Sequence, residues 1–162
     1  MKNNILYLLT TLLCVACHSK SNSKMNQKTE ILPINPYLFT FKSEADGIVD
    51  EPGERRIGFF YTNFANEPNE AHRTELKELI AKEKEKIKGD FNLISFYVYK
   101  KTDVLNNSFK GDKTLLRSHK KDLRVYVRWV KEKMDTFFII EDNNVVYDLI
   151  ENKKVSPPYE FE

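Results

Sequence analysis

Glycine is scarce in this chain, with five among 162 residues, and cysteine is scarcer, with two. So few glycines leave little material for a loop that cradles phosphate, and no G-x-x-x-x-G-K pattern occurs. Cys14 and Cys17 both stand near the start, so everything downstream lacks a thiol. It can form no disulfide and offers no thiolate nucleophile. Histidine is limited to His18, His72 and His119, without an H-E-x-x-H motif, and no G-x-S-x-G elbow is present. Ser118 and His119 are adjacent, and chain neighbours seldom aim at one another as nucleophile and base do. Asp46, Asp50 and Glu51 lack a spacing that supports glycan hydrolysis. No catalytic residue, metal ligand or cofactor is therefore expected. Charge is nearly balanced, 26 Lys and Arg against 24 Asp and Glu. That excludes the overall basic signature of a nucleic-acid-binding chain.

What the sequence does have begins at its N-terminus. Lys2 precedes an apolar stretch from Ile5 to Ala16, 12 residues long and interrupted only by threonine, tyrosine and cysteine. A bilayer-spanning helix needs ~20 residues, so this stretch reads as an export signal over residues 1–16 rather than a permanent span. Its end, Leu13-Cys14-Val15-Ala16-Cys17, resembles the lipobox of bacterial lipoprotein precursors. The resemblance covers only this segment, and it implies lipid attachment at Cys17. The alternative is an ordinary cleaved signal, with Cys14-x-Ala16 as the small-residue site and Cys17 left free. By the same resemblance, His18 stands where Asp acts as an inner-membrane retention signal in some bacterial lipoproteins. This points to the outer membrane.

Each buried CH₂ of an attached lipid contributes ~0.8 kcal/mol, so two or more chains hold firmly where one binds marginally. His18 to Asn35 is polar and rich in Ser, Asn and Lys, and reads as a tether. A flexible coil of this length spans ~20–25 Å, enough to hold a domain clear of the headgroups.

Residues 36–155 read as one α+β domain: one long helix on a mainly antiparallel sheet of about five or six strands, with a cystatin-like arrangement as one candidate. Strands are predicted from Tyr37, over Arg56 to Phe64, over Leu93 to Lys101 and from Leu123 to Trp129, where residues alternate between two faces. The helix is predicted from Asn66-Glu67-Pro68 to about Lys88, with Leu76, Leu79, Ile80 and Ile87 on one stripe and Gly89 as its stop. His72 on the edge of that stripe suits packing or capping. A meander follows, with a turn at Asp142-Asn143-Asn144, and Val155-Ser156-Pro157-Pro158 is expected to end regular structure before a tail over 156–162. The acidic loop around Gly47 fails the EF-hand spacing and reads as a solvated turn.

Lys100 to Lys133 holds the strongest charge asymmetry, eleven Lys or Arg against four Asp or Glu. Arg117, Lys120, Lys121, Arg124, Tyr126 and Arg128 are the candidate partner-binding residues. Arg124, Tyr126 and Arg128 fall on the outer face of their strand by parity, a pattern suited to an anionic or planar partner. Together these features point to a membrane-anchored envelope module that binds without catalysis. Its expected partners are the membrane, through the lipid on Cys17, and a protein or anionic envelope component, with no nucleic acid. An immunity-type lipoprotein that captures a toxin is the alternative, and an envelope hydrolase a third class.

The anchor is directly testable. Mass spectrometry of the protein from its own cells should find a lipid increment on the peptide beginning at Cys17, and Cys17→Ser should lose that increment and leave the membrane fraction. An unmodified peptide in the natural sequence would instead establish the ordinary cleaved signal.

Overall fold

A computed structural model describes residues 28–43, 53–64, 68–106, 108–109 and 118–162. Cys17, the export signal, the first part of the tether, the acidic loop and Arg117 lie outside the described residues. The described chain forms β1 (Ile31–Ser43), β2 (Gly53–Thr62), α1 (Glu70–Glu85), β3 (Leu93–Lys100), a 3₁₀ turn (Lys120–Asp122), β4 (Leu123–Val130), β5 (Lys133–Glu141), β6 (Asn144–Asp148) and β7 (Lys153–Glu160). All seven strands join one sheet in chain order. Only β2 and β3 run parallel, and α1 is the crossover between them. The α+β architecture and the mainly antiparallel sheet are as expected, but there are seven strands, not five or six.

Both extra lengths of strand lie at the ends. Ile31 and Ile34 are buried, so β1 begins inside the segment read as tether. Polar bonds hold this entry: the Thr62 hydroxyl donates to Glu30 O at 2.7 Å, and Glu30 N–H donates to Asn63 Oδ1 at 2.9 Å. At the other end, Ser156-Pro157-Pro158 interrupts pairing without ending the strand. Tyr159 pairs again with Val145, and Glu160 with Asn144. The expected tail is thus a sheet edge, and Phe161 packs on the core behind it.

Burial on both faces explains the strand composition. On one face, Phe60, Phe96, Val98, Val125, Val127, Trp129, Phe137 and Ile139 form a core with Leu76 and Ile80 of α1. Phe96 is its hinge point, edge-on to Phe60 at 4.9 Å and to Trp129 at 5.1 Å. The second face carries Ile57, Phe59, Tyr61, Tyr99, Ile140 and Val145. Leu105 and Phe109 cover it from the loop after β3, where the Thr102 hydroxyl accepts from Leu105 N–H at 2.8 Å and folds the loop inward.

The helix is shorter than expected. Asn69 is its cap, accepting from His72 N–H at 3.0 Å, and the helix closes at Glu85. The capping side chain must stand beyond Pro68, whose carbonyl instead accepts from Arg73 Nη1 at 2.9 Å. His72 therefore enters the cap through its backbone. Leu76, Leu79, Ile80 and Ile87 do share the core-facing stripe.

One carboxylate ties the helix to the sheet entry: Glu75 Oε2 accepts from Thr29 N–H at 3.2 Å. The nearby Thr29 hydroxyl, whose geometry falls short of a full hydrogen bond, is the chief cause holding the Glu75 carboxyl below the ordinary carboxylate range. The Thr29 N–H is the second. A lowered folded-state pKa means that this stabilisation is present above the unfolded-state pKa and is lost as pH falls through the folded one. Hydrogen-exchange protection of the Thr29 amide should accordingly fall on acidification through the carboxylate range, and Glu75→Gln should remove that dependence.

Gly58 is set by close approach. A Cβ there would lie 2.7 Å from Phe60 and 2.8 Å from Phe96, inside contact distance of both rings. Gly58→Ala is expected to destabilise the fold by about 1–3 kcal/mol through overpacking, read from urea denaturation. Unchanged stability would mean that the two rings are free to shift.

Candidate functional site

The strand that sequence parity makes a cationic ladder is built otherwise. Pairing between β3 and β4 slips where Val98 faces Val125 and Tyr99 faces Leu123, leaving Arg124 without an opposite residue. The slip moves Leu123 to the second face and turns Arg124 inward, where it is 7% exposed. Its Nη1 donates to Lys121 O at 2.9 Å and to Leu123 O at 3.0 Å. Arg124 thus clamps the 3₁₀ turn and holds Lys120 and Lys121 outward. Periodicity alone carries no sign of a one-residue slip.

Arg128 is committed as well. Its Nε and Nη2 each donate to a carboxylate oxygen of Asp135 at 2.9 Å, a two-pronged ion pair across β4 and β5. These bonds are the main cause raising the Arg128 pKa above its ordinary value, so it stays charged and paired. Tyr126 is half-buried, its ring 5.0 Å from Tyr97 and 4.9 Å from Phe161. Of the five candidate residues that are described, only Lys120 and Lys121 are exposed cations with no ion-pair partner among the described residues. His119 is held locally by Asp122, Nδ1 to Oδ2 at 3.3 Å.

Those two lysines stand where three segments meet. The β5–β6 hairpin turns through Asp142 and Asn143, both in the left-handed region with φ of 47° and 66°. Asn and Asp tolerate that conformation, which suits a two-residue hairpin loop. The chain end returns to this turn: Phe161 N–H donates to Asn143 O at 2.8 Å, and Asn143 Nδ2 donates to Glu160 Oε1 at 2.9 Å. Between the turn, the chain end and the 3₁₀ turn lies a cleft of about 280 Å³, lined by Tyr97, Tyr99, Leu123 and Phe161 together with Lys120 and Asn143. Glu162 also borders it. A second cleft of about 370 Å³ adjoins it, sharing Lys120 and Asn143 and adding Lys121, Asp142, Asn144 and Glu160.

Asn143 is the residue common to every part of this arrangement. Its Oδ1 is covered and receives no hydrogen bond, and an unmet buried acceptor costs about 1–3 kcal/mol. Of the cleft residues, sequence reasoning found Lys120 and Lys121 and missed Tyr97, Tyr99, Asn143 and Phe161 as site residues. The turn at Asp142-Asn143 was legible; its meeting with the chain end was not, because that depends on β7 resuming after the prolines.

No group of three His, Cys, Asp or Glu among the described residues is placed to hold a metal. No described helix is long and apolar enough to cross a membrane. Comparison with family models, with curated proteins and with solved structures finds no match.

Proposed function

We propose that this chain is a lipid-anchored envelope protein whose folded domain is a non-enzymatic binding module. The observation that supports the reading is the pair of adjoining clefts beside Lys120 and Lys121, where apolar rings and polar groups converge. A surface of that kind gains binding energy from ring contact and orientation from a few polar atoms. Lipid on Cys17 would hold the module at a membrane surface, raising its effective concentration towards partners there. The tether between Cys17 and the first strand supplies the reach.

Arg124 and Arg128 are occupied within the fold, so the partner is met by the 3₁₀ turn and by the hairpin and chain end beside it. Reversing the charge of Arg124 would break the clamp on that turn and confuse folding with binding. Lys120 and Lys121 are free of that difficulty.

Native mass spectra of the full chain, gently extracted from its own membranes, should show a retained envelope component. The double substitution Lys120→Glu with Lys121→Glu is expected to reduce the retained fraction about tenfold, equivalent to ~1.4 kcal/mol, with thermal stability unchanged. Equal retention by the double variant would remove the 3₁₀ turn from the interface. A chain that emerges lipidated but alone would overturn the stable-partner form of the proposal.

A further inference from the structure

We infer that the paired clefts form a saccharide site, taking an uncharged or weakly charged glycan of at least two sugar units. The inference rests on the binding-module reading and names its ligand class. Four features of the site carry it.

The first is the aromatic lining. Tyr97 and Phe161 line the smaller cleft and are half-buried, with Tyr99 buried in the core behind them, and sugar rings offer C–H faces that pack on such surfaces. Continuity beneath adds rigidity, since Phe59, Tyr97, Tyr126 and Phe161 form a chain of ring contacts at 5.6, 5.0 and 4.9 Å. The second is the mixture of polar groups. Lys120 and Lys121 donate, and the Asp142 carboxylate accepts. Sugar hydroxyls both donate and accept, so vicinal pairs of them match such a mixture.

The third feature is charge. Asp142, Glu160 and Glu162 border the clefts against the two ammonium groups of Lys120 and Lys121. A phosphate-rich or sulfated chain would meet as much repulsion as attraction, which disfavours the anionic partner that the basic stretch suggests by itself. The fourth is shape. Ligand pockets commonly measure ~300–1,000 Å³, so the smaller cleft suits a single ring, and the shared border at Lys120 and Asn143 leads to room for a second. An extended peptide is the less suitable occupant, because the adjacent β7 loses its ladder between Lys154 and Tyr159.

The test is an amide NMR titration of the isotope-labelled full chain in detergent, using chitotetraose and cellotetraose as neutral probes and a heparin-derived tetrasaccharide as the sulfated one. Saturable shifts are expected at Lys120, Leu123, Asn143 and Phe161 with a neutral probe. Phe161→Ala and Lys120→Ala should each weaken that binding about tenfold, the scale of losing one ring contact or one charged hydrogen bond. Lys120→Ala alters only an exposed side chain, so it decides the matter should Phe161→Ala disturb the fold. Response to neither neutral probe, shifts confined to other surfaces, or binding of the sulfated probe alone would each overturn the saccharide assignment. The two readings fail separately. A membrane-extracted chain that holds a protein partner but ignores all three probes keeps the module and loses the glycan, whereas glycan binding by an unlipidated chain keeps the glycan site and loses the anchor.

Discussion

The sheet has two apolar faces and the described chain has one long helix to cover them. Because α1 connects parallel neighbours β2 and β3, it is committed to the face of Phe60, Phe96 and Trp129. The opposite face, with Phe59, Tyr99 and Ile140, must be closed by whatever else the chain provides. Leu105 and Phe109 reach it from one loop, and Phe161 reaches it from the end of β7. Loops and ends make a less complete cover than a helix, and the clefts lie along its margin.

Such a margin is assembled from distant parts of the chain. Lys120 is placed by a turn that Arg124 clamps, Asn143 by a hairpin, and Phe161 by a backbone bond to that hairpin. None of the three holds its position by local propensity alone. Two other cations are committed within the fold: Arg124 turns inward to backbone carbonyls, and Arg128 pairs with Asp135 at the surface.

Much of the architecture was legible because alternation and helical spacing report directly on burial. Trp129 alternates with the outward Arg128 and lies in the core, and the stripe from Leu76 to Ile87 faces the sheet as spaced. The crossover from β2 through α1 to β3 was also readable as a possibility. Three features were not legible. The start of β1 depends on Thr62 and Asn63 accepting the preceding segment, a contact across more than thirty residues. The slip at Arg124 changes which face Leu123 meets. Prolines in β7 signalled an end where the backbone only detours, because a strand at the margin of a sheet needs its neighbour on one side alone. Net charge over Lys100 to Lys133 likewise reports how many cations are nearby and not how many already have partners.

The same detour occurs at both margins of the sheet. In β1, four residues between Pro33 and Leu38 stand opposite Phe59 alone, and in β7 four residues between Lys154 and Tyr159 stand opposite Val146 alone. Each detour contains proline, which has no N–H to offer a further strand. Neither margin therefore presents an unbroken row of donors and acceptors to a second copy. That interruption guards against sheets joining edge to edge into a fibre.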